Sequence, residues 1–284
     1  MPRPSTFEST DLDAVRSYWN SRPCNVRHSQ LPVGTKEYFE QVEARKYMVE
    51  PHIPAFADFD RWRDKRVLEV GCGLGTDTMN FARAGADVTA VDLSVESLAL
   101  AKQRAEVFGL SDRIRFKEAN AEELTSFVDE GDFDLIYSFG VLHHTPHPDR
   151  AFKQLRQLIA PTGELRMMVY HRWSWKSFEL VLRSGKGQFW KFDEIVANES
   201  EAQLGCPVTY TYSPKGISAE LAAAGFDVTQ TWKDHIFPYR IPEYVRYEYR
   251  QRRVFEIMPT PVFHWLEHRM GWHLMVVAHP DGTR

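Results

Sequence analysis

The chain has 284 residues, 43% of them hydrophobic, and a formal net charge of −4. That is enough apolar material for one large α/β domain with insertions, and the acidic balance argues against a nucleic-acid binder. No apolar run approaches the roughly 18 residues that span a bilayer, the start MPRPSTFESTDLD lacks the apolar core of a signal peptide, and the three widely spaced cysteines Cys24, Cys72 and Cys206 suit neither a disulfide framework nor a zinc site, so a cytoplasmic protein is expected.

Residues 1–65 precede the fold as a helical extension, with helices predicted over 11–20 and 36–50, the second ended by Pro51. Strands and helices then alternate: strand 66–70, helix 76–84, strand 86–91, helix 95–108, strands 113–117 and 134–138, helix 148–159, strand 163–170. Ser94 suits the N-cap of the 95–108 helix and Pro148 the first position of the next one. Alternation of this kind predicts an α/β fold, a doubly wound, Rossmann-like, mostly parallel sheet. Residues 172–212 are aromatic-rich and partly helical; helix 214–224 and strand 226–236 resume the sheet; 238–271 form a second insertion, and 272–279 read as the last strand. Ligands in open α/β sheets bind beyond the carboxyl ends of the strands. The extension 1–65 and the insertions 172–212 and 238–271 are therefore the expected lid and substrate cap of a domain spanning 66–284.

The densest signal is Val67-Leu68-Glu69-Val70-Gly71-Cys72-Gly73-Leu74-Gly75-Thr76, followed by Val91-Asp92-Leu93. The glycines let the backbone turn sharply and approach a ligand without Cβ clashes, and the helix from Thr76 aims its free N–H groups at the same place. Asp92 lies 21 residues after Gly71 at the end of the second strand, where an acid accepts hydrogen bonds from ribose hydroxyls. A dinucleotide fingerprint places its third glycine where this chain has Thr76, which weakens a nicotinamide reading. Glu69 would repel a pyrophosphate but can meet an ammonium group, as on the amino-acid tail of S-adenosylmethionine.

E-V-G-C-G-L-G-T-D with V-D-L-S resembles the first two motifs of the class I S-adenosylmethionine-dependent methyltransferases. In order, Ala119-Asn120-Ala121-Glu122-Glu123-Leu124 resembles the segment that clamps adenine, and Phe133 to Ser138 the fourth strand. Gly140-Val141-Leu142-His143-His144 resembles the next loop in the branch of ubiquinone and menaquinone C-methyltransferases and natural-product enzymes, and Tyr212 to Phe226 that branch's helix before strand six. The resemblance implies a seven-stranded sheet whose last strand is antiparallel and inserted between two others. It implies S-adenosylmethionine as cofactor, bound by Glu69, Gly71, Gly73, Thr76, Asp92, Leu93, Asn120, Ala121 and Ser138. It also implies an N-terminal helix over the cofactor, with Tyr18 and Arg45 as candidates for its carboxylate. Asn120 stands where family members often have Asp.

Methyl transfer needs alignment of acceptor and methyl in a closed pocket, and an oxygen or carbon acceptor usually needs a base. Tyr170 and His171 follow strand five, near the expected methyl; His171 is the leading base, since neutral imidazole takes a proton at physiological pH, with a strand cap as the equal alternative. His143 is a further candidate for contact with cofactor or acceptor. His143, His144 and His147 mimic metal spacing, but only Asp149 supports a site, and no metal is predicted. A helix from Pro242 would put Arg246, Arg250 and Arg253 on one face. With Tyr239 and Arg240 these either hold an anionic acceptor in guanidinium forks or form a solvated flank. The expected activity is methylation of a small-molecule acceptor, anionic or aromatic, with no nucleic-acid partner; a homodimer is left open. The rival readings are a lipid or quinone-like ring acceptor, a non-catalytic cofactor-binding module, and a nicotinamide enzyme.

Overall fold

Val67–Val70 are buried on both faces of β1 (Arg66–Val70), a burial that only a central strand of a two-sided sheet produces. The computed structural model describes residues 7–128, 131–184, 188, 191–199 and 206–282. Around β1 lie β2 (Asp87–Asp92), β3 (Ile114–Glu118), β4 (Phe133–Phe139), β5 (Ile159–Tyr170), β6 (Phe226–Asp234) and β7 (His273–Pro280), in the order β3-β2-β1-β4-β5-β7-β6. β1 to β5 pair in parallel, and β7 runs antiparallel between β5 and β6, as the resemblance implies. The order reverses between β1 and β4, which opens the crevice at their carboxyl ends.

The helices are α1 (Leu12–Ser21), α2 (Lys36–Val49), α3 (Ile53–Ala57), α4 (Thr76–Ala84), α5 (Val95–Phe108), α6 (Pro148–Leu158), α7 (Trp175–Ser184), α8 (Phe192–Glu199), α9 (Pro214–Ala223), α10 (Ile241–Val245), α11 (Arg253–Glu256) and α12 (Thr260–Met270). Local chemistry sets their ends as expected. The Ser94 hydroxyl accepts from the Ser97 N–H and caps α5, Pro148 opens α6, and Gly85 and Gly109 end α4 and α5 with left-handed backbone. The extension is tied into the domain by Arg104, which is fully buried on α5. Its guanidinium donates to Thr76 Oγ1 at 2.7 Å on α4 and to Glu43 Oε2 at 2.7 Å on α2.

One element differs from expectation. The helix predicted from Pro242 does not run through the arginines: α10 stops at Val245, and Tyr247 takes a left-handed φ of 65°. The chain doubles back, with the Arg240 N–H donating to the Arg250 carbonyl and Tyr239 bridging Gln251. The turn wraps Tyr244, Tyr247 and Tyr249 around the Arg45 guanidinium, at 4.1, 3.8 and 5.7 Å from their ring centroids. A buried cation enclosed by rings outweighs a helix whose outer face would carry three exposed arginines. Helix α12, within the same insertion, is not apparent from the sequence pattern.

Arg104→Ala should therefore destabilise the fold by about 3–5 kcal/mol in denaturant unfolding, because a fully buried side chain is deleted and Thr76, the Phe39 carbonyl and Glu43 lose its guanidinium, only Glu43 keeping a second cation, Arg83 at 2.8 Å. Arg115→Ala, which removes a half-exposed pair with Asp87 at 2.9 Å, should cost at most about 1 kcal/mol. Equal effects would show that the buried network does not hold the extension.

Candidate active site

The loop between β1 and α4 makes the floor of the crevice. The N–H groups of Gly71 and Cys72 donate to the Val91 carbonyl at 2.7 and 3.1 Å, which ties the loop to the end of β2. Gly71 is left-handed (φ 79°), and a Cβ there would lie 2.2 Å from the Val141 Cγ2 methyl. A Cβ on Gly73 meets nothing within 4 Å, so this backbone faces open space. The Asp92 carboxylate braces the loop from the other side: Oδ2 accepts from the Gly73 N–H and Oδ1 from the Ser94 N–H, each at 2.8 Å. Burial raises the Asp92 pKa, opposed by the amides of Ser94, Gly73 and Leu93.

Above this floor lies a cavity of about 330 Å³. Gly71, Gly73, Thr76, Asp92, Leu93, Asn120 and Ala121 all line it, so seven predicted cofactor contacts converge. Trp19 of α1 lines it from the extension. The Asn120 side-chain oxygen accepts from the Glu122 N–H at 3.1 Å, which fixes the turn after β3. The residues fit an adenosyl ligand with an amino-acid tail: an open glycine backbone, one half-buried acid at the end of β2, and a lysine, Lys46, on the rim.

Other predicted residues lie elsewhere. Arg45 donates to the Tyr244 carbonyl inside its tyrosine cage and does not line the cavity; Lys46, one step of about 100° around α2, does. Tyr18 packs edge-on against Trp19 with Arg22 over its ring. Ser138 is buried and donates to the Val70 carbonyl. Glu69 is buried one layer below the glycines, where Thr78 donates to it. Beside it, Asp77 accepts from Lys46 at 2.8 Å, Tyr47 at 2.9 Å and Tyr137 at 3.1 Å. Burial, helped by the Asp77 charge, pushes the Glu69 pKa up to about 8, against the pull of Thr78 and Lys46.

A second cavity, of about 830 Å³, lies under the two insertions. Its walls include Trp175, Phe237, Tyr239, Tyr244 and Trp272. Tyr170 and His273 line both cavities. Tyr239 and Arg240 line the second one; Arg246 does not, and pairs on the surface with Glu248 at 3.3 Å. His171 lines neither. Its Nδ1 lies 3.1 Å from the Gly271 carbonyl, and burial lowers its pKa to about 4. The strand-cap alternative describes that placement. His143 is fully buried behind Tyr170, ring centroids 3.9 Å apart, and its nitrogens make no hydrogen bond.

Sequence reasoning missed the histidines at the junction. The register of β7 sets His273 opposite Tyr170 of β5 and Asp234 of β6, with His235 next in the chain. His273 Nδ1 lies 3.0 Å from His52 Nε2, and the rings of His235 and His273 stack at 4.5 Å. Burial pushes the pKa values of His52, His235 and His273 down, which favours neutral imidazoles. The available signal was the antiparallel pairing of the last two strands, which puts the end of one beside the start of the other.

A glycine loop, an acid closing the second strand and a switch-point crevice on this strand order define a class I S-adenosylmethionine-dependent methyltransferase fold. Residues 67–163 match the family model described as a methyltransferase domain. The ubiquinone biosynthesis O-methyltransferase of Haemophilus ducreyi is 33% identical over 158 residues, 50% of this chain and 66% of that protein. The enzyme of the same name from Psychrobacter cryohalolentis is 38% identical over 99 residues, 35% of this chain and 38% of that one. The structure of magnesium protoporphyrin IX methyltransferase from Synechocystis PCC 6803 with bound SAH aligns with a TM-score of 0.60 at 18% identity, over 95% of this chain and 100% of that one. The chain spans between 25% and 66% of the length of the first curated relatives it matches. Residues 67–163 form a methyltransferase domain, set in the class I S-adenosylmethionine-dependent methyltransferase fold. Among the described residues no helix is long and apolar enough to cross a membrane.

Gly71→Ala should cost roughly 1–3 kcal/mol of stability and weaken S-adenosylmethionine binding at least about tenfold by calorimetry, because the new methyl is strained and displaces Val141. Gly109→Ala, equally left-handed but meeting nothing within 4 Å, should lose stability only. Equal losses of cofactor affinity would refute the close-approach role of Gly71.

The raised pKa of Glu69 has a defined sign. The folded state holds this proton more tightly than the unfolded chain, so the contribution to stability is full below the ordinary carboxyl pKa and is lost as pH rises through about 8. The gap in unfolding free energy between Glu69→Gln and wild type should change between pH 5 and 9, in favour of the glutamine at high pH. A constant gap would show that Glu69 is ionised throughout.

Proposed function

We propose that the chain transfers a methyl group from S-adenosylmethionine to an oxygen of a small, flat acceptor held in the 830 Å³ cavity. One observation carries this reading: the cofactor cleft and an acceptor-sized, aromatic-walled cavity share Tyr170 and His273 as common wall. S-adenosylmethionine, when bound, supplies a methyl group on a sulfonium that is already a good leaving group. What remains for the protein is alignment, exclusion of water and, for an acceptor hydroxyl that is not already ionised, removal of its proton. Asp92 would take the ribose hydroxyls, Asn120 and Ala121 the adenine, and Lys46 the carboxylate. Trp19 closes the cleft from the extension, which supports the reading of residues 1–65 as a lid.

The acceptor cavity suits an aromatic or similarly planar molecule. The Tyr170 ring is held between His143 at 3.9 Å and Trp272 at 4.1 Å, so this wall is rigid. Lys176 lies over the Trp272 ring at 4.5 Å. The charged lining residues are Lys176, Arg183, Arg240 and Arg252 against Glu179, Glu199 and Glu243, a formal excess of one positive charge. An acceptor with one negative group fits that balance, and a polyanion does not. The names of the curated relatives, O-methyltransferases of ubiquinone biosynthesis, support oxygen as the acceptor atom.

The test is a panel of phenols, hydroxy acids, amines and thiols, read by S-adenosylhomocysteine release and by mass of the product. Phenolic acceptors should be methylated on oxygen. Tyr170→Ala should lower kcat, and Arg240→Ala should raise KM about tenfold for carboxylated phenols while sparing neutral ones. Turnover confined to amines or thiols would overturn the oxygen reading, and loss of cofactor binding alone in Tyr170→Ala would place the acceptor elsewhere.

A further inference from the structure

Glu50, His235 and His273 meet where the two cavities join. Each offers one ligand atom, and these atoms lie within 4.8 Å of one another. From this geometry we propose a divalent transition-metal site with Glu50, His235 and His273 as its ligands, open on the side of the acceptor cavity.

Three observations support it independently. First, Glu50 Oε1 and His273 Nε2 are 3.6 Å apart. That is too long for a hydrogen bond but close to the separation of two ligands each about 2.1 Å from one ion. Secondly, the outer contacts match those of a ligating imidazole. With Nε2 of His273 on the metal, its Nδ1–H donates to His52 Nε2 at 3.0 Å. His52 Nδ1–H then faces Asp234 Oδ1 at 3.7 Å. The His52 nitrogen that accepts from His273 fixes its tautomer and ring orientation, and the Asp234 charge behind His52 raises ligand basicity. Thirdly, His235 adopts a left-handed backbone with φ 70°, uncommon for a residue other than glycine. Its own amide donates to Asp234 and its carbonyl accepts from the Trp272 N–H, so this backbone is held in place and the ring stays against His273.

Two imidazoles and one carboxylate select first-row ions such as Zn²⁺, Co²⁺ or Fe²⁺ over Mg²⁺ or Ca²⁺, which take oxygen ligands. Three protein ligands leave room for a fourth from outside, as in sites that act on a bound molecule. Glu50 and His273 line the cofactor cleft, His235 and His273 the acceptor cavity. The open position would hold an acceptor hydroxyl and lower its pKa. That use of the ion rests on the proposed O-methylation; the site itself does not.

The test titrates the chelator-treated full chain with Zn²⁺ by calorimetry and with Co²⁺ by visible absorption, without cofactor or acceptor, so that failure of the methyltransferase reading cannot affect the outcome. One ion should bind per chain, and Co²⁺ should show d–d bands of a four- or five-coordinate centre. Glu50→Gln and His235→Gln should each weaken binding at least 100-fold, and His52→Ala by about 10–100-fold through loss of orientation. The exposed pair change His264→Gln with His268→Gln should leave it intact. Thermal unfolding checks that each variant is folded. If a ligand variant does not fold, protection of the histidines from diethylpyrocarbonate by Zn²⁺ in the wild type, mapped by mass spectrometry, must fall on His235 and His273. Absence of stoichiometric binding, binding lost only with His264 and His268, or protection mapped elsewhere would overturn the proposal.

Discussion

The Asp92 carboxylate is the constraint on which the crevice depends. Its two oxygens accept backbone N–H groups from Gly73 in the β1–α4 loop and from Ser94 at the start of α5, each at 2.8 Å. One side chain thus joins the ends of two adjacent strands and sets the width of the crevice between them. It also explains how a half-buried acid is tolerated: the desolvation cost is offset by amides that would otherwise be orphaned at a helix start and in a tight loop.

Beneath the loop a second layer carries more charge than a core usually does. Glu69, Asp77 and Lys46 are shielded from solvent, with Tyr47, Tyr137 and Thr78 completing their hydrogen bonds. Lys46 neutralises Asp77 directly, and Glu69 answers the remaining excess of negative charge by holding its proton. The same lysine reaches the rim of the cofactor cleft.

The extension and the insertion after β6 meet at Arg45. Its guanidinium does not line the cofactor cleft: it organises Tyr244, Tyr247 and Tyr249 into one wall and links α2 to the insertion after β6. This wall costs the insertion its regular helix. It also brings α2 and the segment after β6 together, and the same approach places Glu50 and His52 beside His235 and His273. Cap, cofactor cleft and histidine cluster are consequences of one packing.

The sequence by itself determined the sheet and the cofactor side. Glycines that need left-handed backbone, an acid a fixed number of residues downstream and alternating apolar strands are local signals, and a local signal survives without knowledge of the rest of the chain. That is why Gly71, Gly73, Thr76, Asp92, Leu93, Asn120 and Ala121 were legible as one site. Adjacency to a motif was a poorer guide: His171 follows the right strand but turns to the Gly271 carbonyl, and His143 sits in the right loop but is buried behind Tyr170. Periodicity also misled for the arginines after Pro242, because a tertiary partner, Arg45, competes for the tyrosines that the helix would have carried. The junction of the two cavities was decided only by tertiary structure. His52, His235 and His273 are separated by up to 221 residues, and no spacing rule relates them. They meet because β7 runs antiparallel between β5 and β6 and because a helix some two hundred residues earlier ends against that pair.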